Sequence, residues 1–186
     1  MLLKDIKEAI ESHIAEKMLI RIERKDIDET EKTDGFPLLL SDKFLLMTVI
    51  NDFHDEGFTI LNIKDITDAY SYESYAFYEK ICISEGLRDI ELPGSINSLS
   101  DHEQIFKCLQ GYDGLISVQC EKQTETNAFF LGRIKAVTSD GVEFLDIGMD
   151  GKWDNETHII LYSEISQISF GDHYSKMYYK YSDKSS

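Results

Sequence analysis

Apolar and polar residues recur with two different periods along the first 70 residues. Between residues 5 and 17, apolar residues return every three or four positions with charged residues between them, which predicts an amphipathic helix. Residues 25–35 (KDIDETEKTDG) are acidic and rich in turn formers, which predicts an exposed loop or hairpin tip. Short apolar or alternating runs bounded by turn residues predict five strands, at residues 18–24, 36–40, 43–51, 58–63 and 66–70.

The second half of the chain shows the same order of patterns. Ser100 and Glu103 have the spacing of a capping box and open a second helical pattern that ends at Gly111. Five further strands are predicted at residues 115–122, 128–137, 142–147, 157–162 and 165–170, and residues 172–181 are expected to be helical or extended. Between the halves, residues 71–85 have helical spacing, and Gly86 and Pro93-Gly94 predict a linker.

Part of the sequence is also repeated. Residues 55–63 (DEGFTILNI) match residues 139–147 (SDGVEFLDI), with glycine, leucine and isoleucine in register. This match predicts a duplicated β-unit, with residues 148–162 as an insertion in the second copy. We therefore expect three segments: a helix and first β-unit, a connecting helix and linker, and a helix and second β-unit with an aromatic end, at residues 1–71, 72–97 and 98–186.

A helix followed by five short, bent strands resembles the Sm-like fold within the SH3-like barrels. The resemblance rests on residues 130–137 (FLGRIKAV), residues 140–145 (DGVEFL), and Ile165 with Ile168. It implies a mainly β (α+β) protein with accessory helices, built from two tandem five-stranded Sm-like or SH3-like barrels, each preceded by a helix. The DGF sequence at residues 34–36 and DFHDEGF at residues 52–58 also resemble a group of uncharacterised bacterial proteins of this size, which implies no activity.

Sm-like proteins bind RNA through two signature turns, and this sequence differs from the family at both. Residues 138–142 (TSDGV) lack the asparagine of the first turn, and in residues 161–164 (LYSE) glutamate replaces the cation of the second. RNA binding is the alternative function that the resemblance implies. It would require a local basic patch, for which the candidates are Arg133, Lys135, Lys122 and Lys152.

The composition narrows the range of partners. The formal net charge of −16 disfavours nucleic acid and anionic membranes, because phosphates are bound by Lys and Arg. The three cysteines have no CxxC spacing, and no apolar run is long enough for a signal peptide or a membrane span. We therefore expect a cytoplasmic protein that contacts a protein partner or forms a homo-oligomer.

Residues 52–56 (DFHDE) form the densest polar cluster in the chain. A histidine among carboxylates has the chemistry of a divalent metal site or an acid–base pair, so a small metal-dependent hydrolase centred on His54 is a second alternative. A solvated turn between two strands is the simpler interpretation. The sequence has no nucleophile, metal-binding or phosphate-binding motif, so we predict no catalytic residue, no cofactor and no metal.

Two tyrosine-rich segments follow the two β-units, at residues 70–78 and 174–181. Tyrosine and tryptophan favour interfaces, because their rings bury apolar area while one end stays hydrated. We therefore predict a noncatalytic interaction protein whose contact surface contains Tyr72, Tyr75, Tyr78, Trp153, Tyr174, Tyr178 and Tyr179.

Overall fold

The computed structural model describes residues 1–92, 96, 98–122 and 128–182. The protein is 36% strand and 25% helix, which confirms the predicted mainly β class with accessory helices. The strands form open antiparallel sheets, so the prediction of closed barrels is wrong. The chain divides into compact units at residues 1–92 and 93–186. The predicted linker at Pro93-Gly94 lies outside the described residues.

The first unit opens with helix α1 (Leu3–Glu16), whose apolar stripe buries Ile6 and Ile10. The stripe packs on the core of the first unit. The buried residues of this core are all aliphatic except for one methionine. The helix ends at Lys17, which has the left-handed backbone conformation (φ 53°) common at helix C-termini.

Six strands follow in the first unit. They are β1 (Ile20–Glu23), β2 (Lys32–Gly35), β3 (Pro37–Leu40), β4 (Phe44–Asn51), β5 (His54–Asn62) and β6 (Asp68–Tyr70), with a 3₁₀ helix at Ile63–Asp65 before the last. Strand β1 pairs with both β2 and β6, and β4 pairs with both β3 and β5. Only Phe36 separates β2 from β3, so these two strands form one bent segment that takes part in both ladders.

Residues 25–35 are predicted to form an exposed loop or hairpin tip; residues 24–31 connect the antiparallel strands β1 and β2, and the correction is that residues 32–35 form strand β2 itself. Its polar residues form a strand because β1 supplies a hydrogen-bonding partner along its whole length. Across the pair, the Arg21 guanidinium donates two hydrogen bonds to the Asp34 carboxylate, at 2.7 and 2.6 Å. This tertiary ion pair stabilises a strand whose sequence has little intrinsic strand preference.

The helix predicted between the units is α2 (Tyr75–Ser84), which belongs to the first unit. Cys82 is fully buried on its inner face and packs with Leu19, Phe36 and Ile50.

The second unit begins with α3 (His102–Leu109), and Asp101 rather than Ser100 is its N-cap. The Asp101 carboxylate accepts a hydrogen bond from the Gln104 backbone N–H at 2.8 Å. Five strands follow: β7 (Ile116–Cys120), β8 (Ala128–Val137), β9 (Gly141–Asp146), β10 (His158–Leu161) and β11 (Gln167–Phe170). They pair in the order β10-β9-β8-β7-β11, so the first strand lies between the second and the last.

Gly132 permits the close approach of β8 and β9. A Cβ atom at this position would lie 2.0 Å from the Leu145 carbonyl oxygen, so only glycine fits without moving a strand. The unit ends with helix α4 (His173–Tyr181), which settles the choice between helical and extended for residues 172–181.

Candidate interaction surface

Helix α4 presents two of the predicted tyrosines on one face. Asp172 begins the helix, because its carboxylate accepts hydrogen bonds from the backbone N–H and the hydroxyl of Ser175, at 2.7 and 2.5 Å. Tyr174 and Tyr178 lie four residues apart and therefore on the same side of the helix. Their ring centroids are 4.6 Å apart.

These two rings form one wall of a groove of about 320 Å³, which we call the aromatic groove. Phe129 and Met149 also line it, and Leu131 and Ile147 are buried lining residues. Three lining residues are large, apolar and exposed: Met149 is 91% exposed, Phe129 52% and Tyr174 49%. Asp146, Gly148 and Asp154 complete the lining.

A tight turn after β9 presents Met149 to solvent. Gly151 has a φ of 77°, and the backbone closes the turn with hydrogen bonds from Gly148 N–H to the Lys152 carbonyl and from Gly151 N–H to the Gly148 carbonyl. The Tyr178 hydroxyl donates to the Met149 carbonyl at 3.3 Å, which ties helix α4 to this turn.

Trp153 is half-buried and packs against residues that line the groove. It pairs with Ile147 as an isolated β-bridge and packs with the buried Leu115 and Leu131. The Arg133 guanidinium lies over the Trp153 ring at 5.4 Å and over the Tyr179 ring at 5.0 Å, which are cation–π distances.

Tyr179 is likewise tied into the structure, since its hydroxyl donates to the Asp113 carboxylate at 2.5 Å. This hydrogen bond raises the pKa of Tyr179. Of the four residues predicted in the second unit, Tyr174 and Tyr178 line the aromatic groove, and Trp153 and Tyr179 support it.

The polar part of the groove lining is acidic. Burial raises the pKa of Asp146, and Asp154 raises it further, while His158, with its Nδ1 3.7 Å from a carboxylate oxygen of Asp146, opposes the shift. The other oxygen of Asp146, Oδ1, is buried and has no hydrogen-bond partner among the described residues. Asp154 is exposed and forms no ion pair within the described part of the chain.

The predicted tyrosines of the first unit form a packed row. Ring centroids are 5.6 Å apart between Tyr72 and Tyr75 and 6.2 Å apart between Tyr75 and Tyr78, and Phe53 adds a contact at 4.5 Å with Tyr78. Tyr75 and Tyr78 pack against a buried cluster, and burial raises the pKa of both. Tyr72 is 52% exposed and is the most accessible ring of the three.

His54 lies at the start of β5, directly after a two-residue turn. Its Nδ1 is 2.8 Å from the carbonyl oxygen of Asp52, and Asp55 accepts a hydrogen bond from the Gly57 N–H at 2.8 Å. His54 and Asp55 thus both bond to backbone groups two residues away. In the described ranges, no three His, Cys, Asp or Glu side chains come together in a way that could hold a metal ion.

The four candidate basic residues are distributed over the second unit. Arg133 precedes a bulge of β8 and Lys135 lies within it, between Ile134 and Ala136, and Lys152 pairs with Asp150 at 2.9 Å. Lys122 lies just after Cys120, which pairs with Ala128 at the start of β8. Ala128 and Arg133 are five residues apart in β8, which corresponds to about 17 Å along the strand. Lys122 is therefore separated from Arg133 and Lys135.

Sequence reasoning missed Phe129, Met149, Asp146 and Asp154 as lining residues of the aromatic groove. Phe129 is an apolar residue near the start of a predicted strand, and Met149 is an apolar residue beside an Asp-Gly turn. Apolar residues at such positions are also found buried. Phe129 and Met149 line a groove only together with Tyr174 and Tyr178 of α4, a segment that the sequence left undecided between helical and extended.

Comparisons of the chain with protein-family models, curated proteins and solved structures find no match. Among the residues that the structure describes, no helix combines the length and apolar character needed to cross a membrane.

Proposed function

We propose that this chain is a noncatalytic protein-interaction module and that the aromatic groove is its contact surface. The observation that carries the proposal is the convergence of exposed Phe129, Met149 and Tyr174 on one concavity with a buried apolar floor. Scattered exposed apolar residues are normal on a protein surface, but a rimmed apolar patch marks a binding site.

The residue types support a protein partner. Aromatic residues and methionine are enriched at the centre of protein–protein interfaces, where they contribute a large apolar area. Each square ångström of apolar surface removed from water contributes about 25 cal/mol. Met149 has most of its surface available for such burial, and Phe129 has about half.

The scaffold we propose is a duplicated Sm-like unit. In the second unit, a helix precedes five antiparallel strands whose first member lies between the second and the last. The first unit has the same order if β2 and β3 count as one bent strand, since β1 pairs with β2 and with β6. This order aligns β4 with β9 and β5 with β10, whereas the sequence match aligned β5 with β9.

Glycines at matching places support this assignment. Gly35 lies in the bent β2–β3 segment and Gly132 in β8. A Cβ atom added to either glycine would lie very close to a carbonyl oxygen of the next strand, at 1.8 Å for Gly35 and 2.0 Å for Gly132. A close strand approach is thus required at the same step of both units.

The test is site-specific crosslinking in the native cytoplasm. A photoreactive phenylalanine analogue replaces Tyr174 in one variant and Ile159 in another; Ile159 is 60% exposed but lies outside the groove lining. We expect a discrete protein adduct from position 174 only, and its loss when Met149→Asp is added. Adducts of equal yield from both positions, or an adduct unaffected by Met149→Asp, would refute the proposal.

A further inference from the structure

We propose that the aromatic groove accepts a basic segment of a partner protein, in which one large apolar side chain is flanked by lysine or arginine. This inference rests on the proposed function and specifies its partner.

The groove is small. Its volume of about 320 Å³ is at the lower end of the roughly 300–1,000 Å³ of small-molecule pockets. It can take one or two side chains but not the whole face of a helix. The partner therefore contributes a short anchor, which Phe129, Met149 and Tyr174 surround with apolar surface.

The charge of the lining is one-sided. Two of the nine lining residues are aspartates and none is lysine or arginine. The basic groups around the lining already have partners: His158 lies 3.7 Å from a carboxylate oxygen of Asp146, Lys152 pairs with Asp150 at 2.9 Å, and Arg133 lies over the rings of Trp153 and Tyr179. A partner cation would therefore find carboxylates without a competing lysine or arginine in the lining.

Asp154 and Asp146 contribute differently to this recognition. Asp154 is exposed and forms no ion pair within the described ranges, so it is ready to meet a lysine or arginine at the rim. Asp146 is less accessible, and burial disfavours its charged form. A partner cation near Asp146 would restore that charge, and opposite charges across a rim mainly favour specificity and fast association.

The charge also favours a different protein over a second copy. Two chains of net charge −16 repel each other, and an interface through this groove would bring their aspartates together. A basic segment removes this repulsion.

The test is selection of random 12-residue peptides displayed on phage against the full-length protein. We expect enriched peptides to carry lysine or arginine within three residues of a large apolar residue. Binding of a selected peptide, measured by fluorescence anisotropy, should weaken about fivefold for Asp154→Asn and for Asp146→Asn, and disappear for Met149→Asp. Glu156→Gln, an equal charge change at an exposed residue outside the lining, should leave it unchanged.

The possible outcomes separate this inference from the proposed function. Enriched peptides that are acidic or uncharged would overturn the inference that the partner segment is basic. Equal peptide affinity of the Asp154→Asn and Glu156→Gln variants would overturn it as well. In either case the groove would remain an interaction site if Met149→Asp still abolishes binding. Failure to enrich any peptide would overturn this inference, while the crosslink from position 174 decides the proposed function separately. A native dimer that Met149→Asp dissociates would identify the occupant as a second copy and also overturn the inference.

Discussion

Replacing Gly132 by alanine should destabilise the second unit more than any other single methyl group added to one of its glycines. The new Cβ atom would lie 2.0 Å from the Leu145 carbonyl oxygen and 3.0 Å from the Asp146 Cα atom. Ordinary contact begins near 3.4 Å, so β8 and β9 must separate by about 1.4 Å at this step. The adjacent hydrogen bond from Ile147 N–H to the Leu131 carbonyl, 2.8 Å long, lies where the strands must open.

The size of the effect follows from these contacts. Overpacking costs about 1–3 kcal/mol, and each lost backbone hydrogen bond adds about 1 kcal/mol. The lower entropy of the unfolded alanine chain returns roughly 0.4–1 kcal/mol. We expect the free energy of unfolding to fall by about 2 kcal/mol, which is a substantial part of the 5–15 kcal/mol typical of a domain.

Urea denaturation followed by tryptophan fluorescence measures this change. Trp153 is the only tryptophan of the chain and bridges to Ile147 beside the affected step, so its emission reports on β9. Gly111→Ala is the matched control, because a Cβ atom there meets no heavy atom within 4 Å. A loss below about 0.5 kcal/mol for Gly132→Ala, or an equal loss for Gly111→Ala, would contradict the reasoning.

Three further predictions concern buried polar groups and thiols. Glu31→Gln should lower the free energy of unfolding by roughly 2–3 kcal/mol in urea denaturation, because it leaves the fully buried Arg24 without this carboxylate, which now lies 2.7 Å away. Hydrogen bonds from Lys25 and Tyr70 lower the pKa of the buried Glu23. The ionised Glu23 therefore contributes to the free energy of unfolding above about pH 4.3, and this contribution is lost as the pH falls further. Glu23→Gln should accordingly make the free energy of unfolding less dependent on pH in the acid range. Iodoacetamide at pH 8 should modify only Cys108 in the native protein and all three cysteines in denaturant, as counted by mass spectrometry, because Cys82 and Cys120 are buried and burial raises the pKa of Cys120 to about 11.

The local patterns of the sequence predicted most of the secondary structure. The bounds of β8 are the predicted residues 128–137, and α1 lies within a residue or two of its predicted range. These elements have a clear period and clear ends. Strand β2 was missed because its pairing with β1 and the Arg21–Asp34 ion pair, rather than its own residues, decide its conformation.

The candidate site could be predicted only in part, for a similar reason. Tyr174 and Tyr178 belong to a tyrosine-rich segment, so composition alone selected them. Tyr179 and Trp153 came from the same reasoning, yet both pack on or beside Arg133 and support the groove. Met149 was missed because its place in the groove depends on the turn closed by Gly148 and Gly151 and on the Tyr178 side chain of α4 beside it.

The turn between β4 and β5 has a consequence for how this sequence can change over time. Asp52 and Phe53 both have positive φ angles, 46° and 64°, which a two-residue hairpin turn accepts most readily from Asn-Gly. Phe53 recovers part of that strain through its ring contact with Tyr78. Asp52→Asn would keep that ring contact and release part of the strain, because asparagine accepts a positive φ readily, and would provide a stability reserve of about 0.5 kcal/mol. A lineage that acquires that reserve could tolerate one mildly destabilising substitution elsewhere in the first unit, which makes this turn a place where tolerance to mutation can evolve.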